Sequence, residues 1–480
     1  MPEANLKNQT KTALYWRFGQ QGVTFVVSFI IGIAMARVLS PSDYGITALP
    51  AVFIAISGTI IGNGSFGMAL VRKPEVTEED LSTAFYYSLG MGFLFYLILW
   101  VASPFIADFY DTPVLAPLMH VTSLSFLYGA LATPQKIILQ RRLDFKTPAI
   151  ISITCQVVSG IVGLSLAYTG HGVWSLVISN LVSGLLNQII MLLYVRWLPK
   201  ARWSRDSFKY LWNFGSKFIA TGMINTVYNN ITPIIVGKFY SPADLGEYNR
   251  AQNYANLPSM NISSVLESVT FPVLAKLQDN VEHMITTYRR MIRVSAFIVF
   301  PLMMLLSALA RPLIIVMITD KWEGSIYLLQ IMCFYMMWYP IHSLNLNILT
   351  VTGRSDLFLK LEIAKKIIGL TFMCCFLPFG LVAFCFACIG SDFLELVVNT
   401  WYTKKLYNYG LSKQLKDLLP TIALSLVLFI SARAMTYCFS NLYVQLIAGF
   451  VVAVIVYLGG AHLFKFNELK DVKFLLKFKS

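Results

Sequence analysis

The sequence predicts an all-α polytopic membrane protein with 14 transmembrane helices: two six-helix bundles related by a pseudo-two-fold axis along the membrane normal, plus two extra C-terminal helices. Three observations predict it: a chain built almost wholly of apolar stretches, an alternation of basic connections, and an internal duplication. The 480 residues are 56% hydrophobic and only 13% charged, with a mean hydropathy of +0.64. Soluble domains carry about a quarter of their residues as charges. A membrane-crossing helix needs roughly 20 mostly apolar residues, and such stretches follow one another here with no room for a soluble domain. The first apolar run begins near Thr12. It is too long for a signal-peptide core and leads straight into more spans, so no cleaved signal is expected.

Hydropathy and turn signals together place the spans at 12–38, 45–70, 82–108, 113–139, 147–168, 172–196, 211–237, 247–276, 290–317, 324–350, 358–378, 380–402, 417–438 and 442–464. The basic residues justify this order. Lys7, Lys11 and Arg17 open the chain, and Arg72 and Lys73 follow the second helix. Lys136, Arg141, Arg142 and Lys146 mark the end of the fourth, and Arg196, Lys200, Arg202, Arg205, Lys209 and Lys217 the passage from sixth to seventh. Lys276, Arg289, Arg290 and Arg293 follow the eighth, and Arg354, Lys360, Lys365 and Lys366 the tenth. Lys404, Lys405, Lys413 and Lys416 follow the twelfth, and Lys465, Lys470, Lys473, Lys477 and Lys479 close the chain. Thirty-two of the 38 basic residues thus share one side. Only Arg37, Lys238, Arg250, Arg311, Lys321 and Arg433 fall on the other. A miscounted helix would scramble the alternation, and the positive-inside rule puts both termini in the cytoplasm.

The formal charge of +14 would point to nucleic acid in a soluble protein. Here it is topological, and no nucleic-acid partner is expected. The seven cysteines, Cys155, Cys333, Cys374, Cys375, Cys385, Cys388 and Cys438, all fall in apolar stretches and read as small core residues. Cys385 and Cys388 have CxxC spacing without a nearby histidine or second pair, so neither a metal nor another cofactor is expected.

The duplication is local and in step. Ala36-Arg37-Val38-Leu39-Ser40-Pro41-Ser42-Asp43-Tyr44-Gly45 is echoed by Gly237-Lys238-Phe239-Tyr240-Ser241-Pro242-Ala243-Asp244-Leu245-Gly246. Trp16-Arg17-Phe18-Gly19 is echoed by Trp212-Asn213-Phe214-Gly215, and Arg142-Leu143-Asp144-Phe145 by Arg354-Ser355-Asp356-Leu357. The organisation that follows is an N-terminal six-helix bundle over 1–196, a cytoplasmic interfacial linker over 197–210, a C-terminal bundle over 211–410, and two added helices with a basic tail over 411–480. Ser-Pro-x-Asp-x-Gly is turn chemistry, and its plainest role is a tight helical hairpin.

Polar residues within a bilayer are costly and usually face a cavity or a partner. The predicted eighth helix carries the heaviest load, with Asn249, Asn253, Asn256, Ser263 and Glu267 along one face and Arg250 and Asn261 on an adjacent strip. The seventh presents Lys217, Thr221, Asn225 and Asn229, and the first Arg17, Gln20, Gln21, Thr24 and Ser28. As a set they predict a wetted cavity. The basic members Arg17, Lys217, Lys238 and Arg250 would draw in an anionic substrate; the competing role is amide glue between helices or snorkelling of the long basic chains. Glu267, Asp392 and Glu395 are candidates for proton or cation coupling, against simple pairing with basic residues. His342 is expected to be hydrogen-bonded.

Gly19-Gln20-Gln21-Gly22, Ala36-Arg37-x-Leu39-Ser40-Pro41-x-Asp43-Tyr44-Gly45, and Gly246-Glu247-Tyr248-Asn249-Arg250-Ala251 through Leu257-Pro258 closely resemble Wzx-type polysaccharide flippases of the MOP exporter superfamily, in the colanic and teichuronic acid exporter branch. The resemblance extends over the whole chain in helix number and spacing. It implies a V-shaped pair of bundles, with a cavity lined by helices 1, 2, 7 and 8, in a bacterial inner membrane. It implies movement of undecaprenyl-pyrophosphate-linked repeat units from the cytoplasmic to the periplasmic leaflet, for surface polysaccharide. The partners it implies are that lipid-linked oligosaccharide, membrane lipids, and a polysaccharide polymerase with its chain-length machinery. Helix 2 departs from the pattern, being nearly uncharged with Asn63 as its main polar group.

Two other readings are open to test. A MATE-like drug or cation antiporter would want a carboxylate cluster in the first bundle, where Asp108, Asp111 and Asp144 sit at loops. A membrane polysaccharide polymerase, which would be an enzyme, needs a sizeable outer loop with catalytic groups. Every outer connection here is short, so no enzyme is expected.

Overall fold

The computed structural model describes residues 3–61 and 66–471, with side chains described from Gly19 onward except Val269. Among the described residues the regular structure is all helical. By compact packing the chain divides into two units, Met1–Gly246 and Glu247–Ser480.

The first unit holds α1 (Glu3–Val38), α2 (Pro41–Ile61), α3 (Met68–Arg72), α4 (Glu78–Phe109), α5 (Leu115–Arg141), α6 (Lys146–Tyr168), α7 (Val173–Val195) and α8 (Arg205–Phe239). The second holds α9 (Pro242–Lys276), which begins just ahead of the boundary, then α10 (Val281–Ala308), α11 (Ala310–Ile318), α12 (Gly324–Met336), α13 (Tyr339–Val351), α14 (Ser355–Phe376), α15 (Leu381–Tyr407), α16 (Leu411–Cys438) and α17 (Leu442–Leu463). Among the described residues, ten helices are long and apolar enough to cross a membrane. The protein is a multi-pass membrane protein. Helices α8 and α9 are not among the ten, although each is 35 residues long. Their polar load lowers the mean hydropathy.

The duplicated motif caps a helix in both copies. Asp43 Oδ2 accepts from the Ser40 amide at 2.9 Å and hydroxyl at 2.7 Å, and Ser40 Oγ accepts from the Asp43 amide at 3.3 Å. Asp244 and Ser241 repeat this with 3.1, 2.7 and 3.1 Å. Each serine is an N-cap and each aspartate its N3 partner. The glycines do more than turn the chain. A Cβ on Gly45 would lie 1.7 Å from the Pro242 carbonyl oxygen, and one on Gly246 would lie 1.9 Å from that of Pro41. The two copies therefore touch backbone to backbone, reciprocally, and only glycine fits.

Sequence repeat and compact packing divide the chain at different points. Helix α8, which opens the C-terminal bundle expected from sequence, packs on α2 and α4 in the first unit. Gly222 meets the Thr59 methyl closely, and Thr59 and Thr226 share a 2.8 Å hydroxyl bond. The connection ahead of α8 is fastened to the start of α4: Trp197 Nε1 donates to Glu78 at 3.0 Å, and the Ser204 amide to Thr83 Oγ1 at 3.1 Å. Phe66, Tyr87, Phe208 and Trp212 stack beside it.

Two predicted helices are broken, and proline explains both. A proline leaves the carbonyl four residues earlier without its intrahelical donor, which in a bilayer must be satisfied by other protein groups. The predicted span over 290–317 breaks at Leu309; Pro312 frees the Ala308 carbonyl, which accepts from Arg433 at 3.4 Å. The span over 324–350 breaks at Met337 and Trp338; Pro340 frees the Met336 carbonyl, which accepts from Ser259 at 2.5 Å. Unbroken helices use the same device. Pro301 frees the Phe297 carbonyl, which takes the Tyr457 hydroxyl at 2.7 Å. Pro104 frees that of Trp100, which takes Ser103 Oγ at 2.8 Å.

Helix α10 is the axis of the second unit, with 67% of its most apolar window buried. Tyr288 donates to Asn345 Oδ1 at 2.8 Å, and Asn345 and Gln414 exchange amide hydrogen bonds at 3.1 and 2.9 Å. This sews α10, α13 and α16 together in a wholly buried cluster. The cysteine expectation needs correction: Cys374, Cys375 and Cys438 are exposed. A thiol is apolar enough to face lipid without a core to receive it.

Candidate functional site

Helix α8 displays the clearest polar surface. Lys217, Thr221, Asn225 and Asn229, four residues apart, are all exposed. Side chains at this spacing lie one above another on a helix face. An exposed ammonium and two amides on a bilayer-length helix cannot be left facing lipid, where a central charge costs about 2.5–3.5 kcal/mol. Such a face suits water or a polar ligand better than lipid.

Lys238, at the far end of α8, has another duty. Its ammonium donates to the Phe109 carbonyl, sits over the Phe109 ring at 4.6 Å and lies 3.4 Å from Asp111. It clamps the α4–α5 connection. Gln21 is exposed on α1 and Gln20 half-buried, while Ser28 accepts a hydrogen bond from Gln156. The side chains of Arg17 and Asn63 lie outside the described residues.

In the second unit, Arg250 lies over the Trp322 ring at 4.8 Å and near that of Tyr254 at 5.9 Å. Asn253 is exposed and Asn256 half-buried on α9. Ser263 leaves the predicted stripe: it is buried and donates to the Ser259 carbonyl at 2.6 Å. Glu267 accepts from Ser343 on α13. Asp392 and Glu395 share a face of α15 but hold different partners. Asp392 Oδ1 lies 3.1 Å from His342 Nε2, whose Nδ1 is 2.9 Å from the Asn399 amide nitrogen. Glu395 accepts from Ser391 at 3.1 Å. Nearby on α14, Lys365 pairs with Glu362 at 2.7 Å. The second unit thus carries three carboxylates, an imidazole and an ammonium in separate pairings on α13, α14 and α15.

A cavity of about 500 Å³ lies inside the first unit, among α1, α5, α6 and α7. Gln20 lines it, together with Lys136, Gln140, Asn187 and Gln188. The last four were not singled out as site residues by sequence. Lys136 reads there as one more topological charge, and nothing in its local pattern separates it from Arg141 or Arg142.

A family model described as "Polysaccharide biosynthesis protein" matches residues 34–327. The chain belongs to this family. It is 23% identical over 376 residues to the lipopolysaccharide biosynthesis protein WzxC of Escherichia coli (strain K12), covering 75% of this chain and 74% of that protein. It is 25% identical over 308 residues to the teichuronic acid biosynthesis protein TuaB of Bacillus subtilis (strain 168), covering 62% of each. Among solved structures, the lipid II flippase MurJ in an inward closed conformation superposes with a TM-score of 0.71 at 16% identity, over 93% of this chain and 98% of that one. An inward-facing MATE transporter of the MOP superfamily gives 0.58 at 15% identity, over 83% and 95%. The fold is of the MurJ and MATE type.

Proposed function

We propose that this protein is a flippase that carries an undecaprenyl-pyrophosphate-linked oligosaccharide repeat unit from the cytoplasmic to the periplasmic leaflet, by alternating access, for surface polysaccharide assembly. The observation that carries the reading is the exposed Lys217, Thr221, Asn225 and Asn229 stripe in a member of a polysaccharide biosynthesis family. Amides suit sugar hydroxyls, and ammonium and guanidinium groups suit pyrophosphate. The lipid tail can stay in the bilayer while the head group follows a wet, basic path.

In this reading Arg17, Gln20, Gln21, Lys217, Asn225, Asn229, Lys238, Arg250, Asn253 and Asn256 bind substrate along the path. Glu267, Asp392 and Glu395 couple transport to a proton or cation. The chain makes 14 crossings as two six-helix halves and an appended pair, over 1–196, 211–410 and 411–480, with both termini in the cytoplasm of the inner membrane. The reciprocal Gly45 and Gly246 contacts support the pseudo-two-fold relation, and the WzxC and TuaB likenesses support the substrate class. A polymerase and chain-length proteins would receive the product, and the chain itself performs no catalysis.

The antiporter reading calls for a free carboxylate cluster in the first bundle. There Asp80 is held by Lys73 at 2.6 Å, Asp111 lies beside Lys238, and Asp144 caps Thr147. The deciding experiment follows lipid-linked intermediates and surface glycan in a strain lacking the gene. Loss of surface glycan, with the single-repeat lipid-linked unit held in the cytoplasmic leaflet, is the expected outcome. Delivery of that unit to the periplasmic leaflet without polymerisation would transfer the role to the polymerase reading, and unchanged pools would favour the antiporter.

A further inference from the structure

The cavity inside the first unit is built differently from the α8 stripe, none of whose residues line it. Its wall offers the amides of Gln20, Gln140, Asn187 and Gln188, the hydroxyls of Ser152 and Ser183, and one ammonium, Lys136. Two features of its wall bear on a ligand, although Gln135, outside the cavity, is also a buried amide without partners. Gln188 is only 3% exposed, and both its amide atoms are buried without a hydrogen-bond partner. A buried amide in that state is costly and calls for an explanation. Lys136, among the described residues, has neither a hydrogen bond nor an ion pair, although the carboxylate Asp144 lines the same cavity. Asp144 is engaged elsewhere: its oxygens accept from the Thr147 amide at 3.0 Å and hydroxyl at 2.7 Å, capping α6.

The floor also fits a ring. The Tyr128 ring rests on Gly184, where a Cβ would come within 2.3 Å of it, and around a Cβ on Gly129 there is open space. Both glycines line the cavity. A set of amides and hydroxyls and one ammonium, with the Asp144 carboxylate turned to the Thr147 amide and hydroxyl, are groups that suit a sugar bearing one negative substituent. The volume is in the ordinary range for small-molecule sites, roughly 300–1,000 Å³.

We propose that this cavity is a binding site for an acidic pyranose unit, with Lys136 pairing its carboxylate or phosphate and Gln188, Asn187 and Gln140 bonding its hydroxyls. The inference rests on the flippase reading, and within it makes the cavity a glycan-selecting subsite in the first bundle. Gln188 then finds its missing partners in ring hydroxyls, and Lys136 its counter-charge.

The test uses the full-length protein, purified in detergent, with glucuronic acid, glucose 1-phosphate, glucose and inorganic phosphate as probes in calorimetric titrations. At least one acidic sugar should bind ten-fold or more tighter than glucose and inorganic phosphate. Lys136→Gln should remove that preference, and Gly129→Leu, which fills open space, should abolish binding without lowering the melting temperature. The acid preferred identifies whether carboxylate or phosphate is read. In cells, both variants should reach the membrane at normal level yet lose export, with the lipid-linked unit accumulating. Equal binding of all four probes, or normal export by both variants, overturns the site. The deletion strain separates the two claims: if it accumulates the lipid-linked unit while both variants export normally, the flippase reading stands and the cavity fails. If it accumulates nothing, the flippase reading fails first.

Discussion

Both compact units keep some buried polar atoms without hydrogen-bond partners, but each also has a polar feature the other lacks. The second holds a sealed cluster in which Tyr288, Asn345 and Gln414 bond one another, and in that unit Tyr457 and Arg433 answer carbonyls freed by proline. The first unit leaves Gln188 unanswered beside a cavity and carries the exposed stripe on α8. A satisfied network stiffens a bundle, whereas unsatisfied groups are a standing cost that persists where something else binds them. One closed cluster in the second unit thus stands against one open stripe and one cavity in the first.

Substitutions in the two units should therefore differ in sign. The largest effect is expected in the second. Asn345→Leu strands the buried Tyr288 hydroxyl and Gln414 amide together, at about 1–3 kcal/mol for each stranded group. The melting temperature in detergent should fall steeply; an unchanged melt would show that water already serves this cluster and would erase the contrast. Next comes a gain in the first unit. Gln188→Met replaces an amide lacking partners with an apolar chain of similar size and should stabilise the protein by about 1–2 kcal/mol, while glycan export drops. A less stable variant that still exports would mean Gln188 is structural. The smallest effect is Tyr457→Phe, which leaves the Phe297 carbonyl unanswered and should cost about 1 kcal/mol with export intact. Loss of export there would place function in the closed network as well.

The features legible in sequence are those fixed within a few residues. Asp43 reaches Ser40, and Asp244 reaches Ser241, across three positions, so the capping chemistry could be read twice from the same motif. The polar stripe of α8 follows from helical spacing alone, and its exposure matches that pattern. Contacts across long separations were not legible. Ser343 meets Glu267 from 76 residues away, and His342 meets Asp392 only because α13 packs on α15. Nor does any local pattern announce that Lys238 meets Phe109 and Asp111, more than 120 residues away in the chain.

By itself the sequence determined that this chain lives in a membrane as helices, because hydropathy, basic alternation and proline or glycine turns act through local solvation and backbone geometry. It also showed one Ser-Pro-x-Asp-x-Gly motif occurring twice. Only the tertiary structure decided that those copies meet glycine to backbone, that α8 packs with the first unit, and which polar groups are paired. Pairing depends on which helices lie side by side. Lys136 and Arg141 sit five residues apart on α5, yet one lines a cavity while the other donates to the carbonyls of Leu70, Lys73 and Pro74. Their chemistry is nearly the same, and the neighbouring helix makes the difference.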